Sequence, residues 1–150
     1  MGRLSAPRLL PALVAAVLLA GCGGEDPPPT ARGVAADLDS AIPSITRTVA
    51  ITEDNDPNDA LGRPGSYVEA VAIYDSRAEC DDDLDITCGA KVEVFETEAA
   101  ATKRRDYIQG VVMDTSGLLT EYDYLDDTVL LRVSGDLEPS VAAEYEKAFS

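Results

Sequence analysis

The chain contains no histidine and no tryptophan, only three cysteines and two phenylalanines, and 12 Lys plus Arg against 28 Asp plus Glu in 150 residues. Without histidine, the commonest general base, neutral metal ligand and near-neutral pH switch are missing. A formal charge of −16 repels nucleic-acid phosphates and anionic lipid head groups, so no nucleic-acid partner is expected. No basic patch is present to hold the chain on a membrane surface, and any such contact needs a lipid. No stretch implies a cofactor, and no internal repeat is evident. Long hydrophobic runs are scarce too: the one run, Leu9 to Ala20, is too short to span a bilayer.

That run is nevertheless informative. Arg3 and Arg8 give it a positive lead, so residues 1–21 read as a secretory signal. Leu19, Ala20 and Gly21 directly before Cys22 look like the lipobox of bacterial lipoproteins. The resemblance implies a diacylglycerol on the Cys22 sulfur, cleavage just before it, and a place on the outer face of the cell membrane. An ordinary signal peptide with an incidental cysteine is the alternative. Removing residues 1–21 takes away Arg3 and Arg8 and no acid, so 10 cations then face 28 acids, a formal charge of −18. The 129 residues left suffice for one domain and are too few for two. Residues 22–32 comprise the cysteine and a tether of glycine, proline and charge, which cannot offset the entropy of ordering. Its last ten residues reach at most about 35 Å.

The domain is then 33–150. Gly33 to Ile42 has an apolar stripe at helical spacing, ended by Pro43. Ile45 to Thr52 alternates as a half-buried strand, with its pattern interrupted at Arg47. Tyr67 to Asp75 and Ala90 to Glu96 are the clearest strands. Thr97 caps a helix running to about Met113, in which Ala100, Arg104, Tyr107, Ile108 and Val111 fall at helical spacing. Thr120 to Tyr124 and Thr128 to Ser134 form a hairpin around residues 125–127, and Pro139 opens a last helix whose Val141, Ala142, Tyr145, Ala148 and Phe149 share a face. The order α-βββ-α-ββ-α predicts an α+β fold: an antiparallel sheet of four to five strands with the helices on one face, a two-layer sandwich.

From Thr52 to Phe149 several blocks stand out: Asp56-Pro57-Asn58, Leu61-Gly62-Arg63-Pro64-Gly65 with Tyr67, Asp75-Ser76-Arg77, Val92-Glu93-Val94-Phe95, Arg105-Asp106-Tyr107-Ile108 and Val129 to Ser134. Together they resemble a family of small lipoproteins of Gram-positive, actinobacterial type. The resemblance implies the same location and a small α+β domain, and brings no activity with it. Where that family carries a short polar link before the Val-Glu-Val-Phe strand, this chain has an acidic loop bounded by Cys80 and Cys88, on which the resemblance is silent.

With Cys22 given to a lipid, Cys80 and Cys88 form the remaining even pair, and in an oxidising compartment they predict a disulfide. Closing about nine residues restricts the unfolded chain by roughly 2 to 3 kcal/mol. A zinc site or a redox-active pair lacks the matching spacing. Asp81, Asp82, Asp83 and Asp85, or Asp54, Asp56, Asn58 and Asp59, are candidate calcium ligands, but the second group fails the helix-loop-helix pattern. Asp59 stands where that pattern needs glycine and Gly65 where it needs glutamate. A solvated acidic loop is the simpler reading of both.

The candidate binding residues are Asp56, Asn58, Arg63 and Tyr67: Arg63 between rigid turns offers a fork to a carboxylate or phosphate. The alternative is that Arg63 pairs with a neighbouring acid and pins the loop. Lys103, Arg104 and Arg105 read as a solvated helix face, and Tyr107, Tyr122, Tyr124 and Tyr145 as packing residues. The expectation for the whole is a lipid-anchored extracytoplasmic module that binds an envelope protein or ligand. Two alternatives stay open: a small hydrolase using two carboxylates about 5 to 10 Å apart, and a purely structural envelope component.

Overall fold

Residues 70–74, Ala-Val-Ala-Ile-Tyr, are apolar without a break, as befits a strand covered on both faces. In the computed structural model, which describes residues 1–2, 27–81, 84–114 and 120–150, they lie inside one five-stranded sheet. The strand β2 (Glu69–Asp75) pairs with β1 (Ile45–Ala50) on one side and β3 (Gly89–Val94) on the other; β5 (Val129–Ser134) follows β3, and β4 (Glu121–Asp126) closes the far edge. Every neighbouring pair is antiparallel. Three helices complete the α+β fold: α1 (Ala31–Ala41), α2 (Glu98–Asp114) and α3 (Pro139–Phe149). The leader, Cys22, the tether up to residue 26, Asp82 and Asp83 lie outside the described residues. No helix among the described residues is long and apolar enough to cross a membrane.

The helices are not all on one face, which corrects the two-layer expectation. Strand residues of one parity, Val71, Ile73, Ala90, Val92, Leu131 and Val133, pack with α1 and α3. The opposite parity, Ala70, Ala72, Tyr74 and Leu130, packs with Ala101 and Ile108 of α2 and with Tyr67 and Phe95. The sheet is therefore the middle of three layers.

Local chemistry sets the boundaries. Thr30 accepts a hydrogen bond from the Gly33 amide at 3.1 Å, so α1 starts at Ala31, before the expected Gly33, and buries Ala31, Ala35 and Leu38. Thr97 caps α2 through the Ala100 amide at 3.2 Å. The pairing of β1 slips between Ile45 and Arg47, where the sequence pattern breaks, and the Arg47 guanidinium lies 3.9 Å from the centre of the Tyr74 ring. The hairpin turns at 127–128, with Asp127 in the left-handed region at φ 50°. Gly89, at φ 147°, begins β3 where a Cβ would come within 2.8 Å of the Asp75 amide nitrogen.

Candidate functional site

On the α2 side, β3, β5 and β4 present charge where an apolar layer is the norm. The register sets Lys91 opposite Arg132, and Arg132 opposite Asp123, with Glu93 and Glu121 on the same face. Glu93 is fully buried and accepts from Arg132 Nη1 at 2.9 Å and from Arg104 Nε, reaching down from α2, at 3.2 Å. Arg132 donates through Nε and Nη2 to the two oxygens of Glu121 at 3.0 and 3.1 Å. The result is a chain Arg104–Glu93–Arg132–Glu121 in which each charge meets an opposite one, the condition under which buried ions are tolerated. Burial works against the Arg132 cation, but Glu93 and Glu121 more than restore it and raise its pKa. Burial pushes the Glu121 carboxyl up despite Arg132, and pushes up Asp123, to which Gln109 donates a hydrogen bond.

Lys91 is the exception. The residue is 2 % exposed and its Nζ has no hydrogen-bond partner among the described residues. It sits 5.2 Å from the centre of the Tyr67 ring. Burial lowers its pKa, and attraction from Glu93 and Asp56 opposes that only in part.

Above this floor α2 stands off from the sheet and leaves a groove of about 430 Å³. Arg104, Tyr107, Ile108 and Val111, at i, i+3, i+4 and i+7, form one wall; Arg132 and Glu121 lie at its base. Tyr107 is 65 % exposed, so it does not join Tyr122, Tyr124 and Tyr145, which pack on the α1/α3 side. Arg105 pairs with Asp106, as a solvated helix face would, whereas Arg104 turns inward. Both Nη groups of Arg104 are without a protein acceptor among the described residues. The opposite wall includes Ile86 and Thr87 of a single 3-10 turn, Ile86–Cys88. Cys80 and Cys88 lie at disulfide distance with their Cα atoms 4.8 Å apart, within the range a disulfide bridges, and so tie that turn down.

The loop between β1 and β2 brings Asp56 and Tyr67 together as a clasp. The Tyr67 hydroxyl donates to Asp56 at 2.7 Å, and the amides of Ala60 and Leu61, both at 2.8 Å, and Asn58, at 3.0 Å, do the same. Burial raises the Asp56 pKa, but these donors outweigh it and hold the carboxyl at about 2. The same burial and the Asp56 charge raise the Tyr67 pKa. Both Asp56 oxygens are thus engaged by donors of its own loop and Tyr67, and no group of three His, Cys, Asp or Glu side chains placed to hold a metal occurs among the described residues. Tyr67 is wholly buried, and Arg63 is exposed and paired with Asp59. Of the four candidate binding residues only Asn58 lines the groove.

A second clasp closes the other end of β2. Buried Asp75 accepts from Ser44 Oγ at 3.0 Å, Tyr145 OH at 2.9 Å, and Arg77 Nε and Nη2 at 2.9 and 2.8 Å; Arg77 also reaches Glu144. Burial works to raise the Asp75 pKa, but these donors win and hold it at about 2. Lys91, Glu93, Arg132, Glu121 and Asp75 were absent from the sequence candidates. The unbroken run 70–74 was the available signal, since a strand covered twice forces the polar residues of its neighbours into a buried layer.

No protein-family model matches the chain, and neither a curated protein nor a solved structure is similar enough to be matched to it.

Proposed function

We propose that the chain is a lipid-anchored binding module outside the cytoplasm, held by an acylated Cys22, which offers the groove under α2 to an envelope protein or ligand. The anchor is supported by the charged lead, the short apolar run and the Leu-Ala-Gly-Cys box of residues 19–22. One observation carries the binding surface: a partly apolar helix face, Tyr107 to Val111, opens onto arginines fixed in place by buried glutamates. Such a preorganised floor limits the ordering cost of binding. Of the carboxylates that line the groove, Asp85, Glu121 and Asp136, Glu121 is held through both oxygens by Arg132, which argues against its use as acid or base in the hydrolase alternative.

The test places a photo-crosslinking side chain at Tyr107 and, separately, at Arg63 in the anchored protein. A discrete adduct from position 107 and none from 63 is expected; adducts from 63 alone would move the site to the β1–β2 loop, and none from either would favour the structural alternative. Labelling with a fatty-acid probe should mark the wild type and lose the signal in Cys22→Ser.

A further inference from the structure

A second cleft lies on the opposite side of the sheet, where α1, α3 and the β4–β5 turn meet. It encloses about 350 Å³ over an apolar floor that includes Val34, Leu38 and Phe149. Its rim carries Asp37 from α1, Asp126 from the end of β4 and Asp127 from the turn, all exposed. None of these three carboxylates has a hydrogen bond or ion pair among the described residues. Among the described residues no cation lines the cleft, and Arg32 and Lys147 fall outside its lining. In the α2 groove every arginine is answered by a glutamate, whereas here three acids surround apolar surface without an answer.

We propose that this cleft is a docking site for a basic, apolar peptide segment of a partner protein, one in which a leucine- or phenylalanine-sized side chain is flanked by lysine or arginine. The floor supplies the contact that removes apolar area from water, at roughly 25 cal/mol per Å². The three rim acids fix the sign of the flanking charge. They favour a cation by complementarity and reject a second copy of this chain, whose net charge of −16 meets like with like. An exposed carboxylate pair contributes little singly, so three on one rim act mainly on partner choice and encounter rate. This site is independent of the groove under α2, and either can fail alone.

The experiment uses the full-length chain in a neutral detergent and a fluorescent amidated peptide of alternating leucine and lysine, read by anisotropy at physiological salt. The leucine–lysine peptide should bind, and the triple variant Asp37→Asn, Asp126→Asn, Asp127→Asn should weaken it at least tenfold. Asparagine tolerates the left-handed backbone at 127, so the turn survives. Neutralising three exposed acids elsewhere, Glu53→Gln, Asp54→Asn and Glu98→Gln, should leave binding within twofold. A serine–lysine peptide should bind at least tenfold more weakly, and a leucine–glutamate peptide not at all. The proposal is overturned if the leucine–lysine peptide does not bind, if both triple variants weaken it equally, or if the serine–lysine peptide binds as well. It is also overturned if sedimentation shows a dimer that the rim substitutions dissolve.

Discussion

On the α1/α3 side the strands present Val71, Ile73, Val92, Leu131 and Val133 to Ala35, Leu38, Val141 and Tyr145; on the α2 side the same strands present Lys91, Glu93 and Arg132 to a helix that buries only Ala101 and Ile108. One face is held by area, each fully buried leucine or valine contributing about 1.5 to 3 kcal/mol. The other face buries little apolar surface through α2 and is held in register by Arg104 meeting Glu93. Where area does the holding, helix and sheet interdigitate, and the cleft on that side opens beside their contact, where α1, α3 and the β4–β5 turn meet. Where a long side chain does it, the helix stands away from the strands, and the groove is that space.

The largest expected effect breaks the charged face. Glu93→Gln removes the charge shared by Arg104 and Arg132 while both guanidiniums stay partly buried, at a cost of about 3 to 5 kcal/mol. Leu131→Ala on the apolar face should cost about 2 to 5 kcal/mol through lost transfer energy and a cavity. The two differ in what rescues them. Glu93→Leu combined with Arg104→Met leaves the Arg132–Glu121 pair intact and should lie closer to wild type than Glu93→Gln alone, because an apolar set replaces the broken ion pair. No polar substitution beside Leu131 should do the same. Urea midpoints of the four proteins decide; a double variant no better than Glu93→Gln would show that the charged face is stabilised by its ions and not merely positioned by them.

This asymmetry is also where the sequence stops being readable. The five strands and three helices follow from local patterns: Val92-Glu93-Val94 alternates, Thr30 and Thr97 cap, and Pro43 stops α1. An alternating strand in an antiparallel sheet normally turns its polar parity to water, so Lys91, Glu93 and Arg132 look like solvent-facing residues. Their burial depends on α2 crossing to that face, and α2 carries a weak apolar stripe interrupted by Lys103, Arg104 and Arg105. Glu93 finds its partners 11 and 39 residues away, pairings that no local window contains. The same holds for Asp75, whose Tyr145 donor is 70 residues distant. Asp56, which precedes Pro57 in a turn-forming pair, is legible by contrast because its role is local: it accepts from the Asn58, Ala60 and Leu61 amides and folds its own loop.

Asp75 sharpens the comparison from the apolar side, being the charged residue buried at that face's end. Its folded pKa of about 2 lies below the unfolded value of about 3.9, so its contribution is fully present above pH 4 and is lost as pH falls toward 2. With Asp75 only 3 % exposed, the contribution is on the order of 2 kcal/mol. Thermal melts of wild type and Asp75→Asn between pH 6 and 2 should therefore converge as the solution is acidified. Asp56 titrates in the same window in both proteins, so the difference between them, and not the wild-type slope, isolates Asp75. Parallel melting curves would mean that Ser44, Tyr145 and Arg77 hold the protonated carboxyl equally well.

The smallest effect has the opposite sign and falls on Lys91, the buried cation that the ion chain Arg104–Glu93–Arg132–Glu121 leaves out. Lys91 has a lowered folded pKa, so between that value and the unfolded value of about 10.4 the unfolded chain binds the proton more readily, and stability rises with pH. The penalty of burying the ammonium is therefore complete at low pH and absent above about pH 10. Lys91→Met keeps the length of the side chain, leaves Glu93 with both arginines, and removes an amine that has no hydrogen-bond partner among the described residues. It should stabilise the protein by about 1 kcal/mol at pH 7, a gain that shrinks as the pH is raised toward 10. Urea midpoints at pH 7 and pH 10 test both the sign and its decay. A loss at pH 7 would mean that the Tyr67 ring and the Glu93 and Asp56 charges hold the ammonium better than water does, and then the charged face would be stabilised by its ions throughout, Lys91 included.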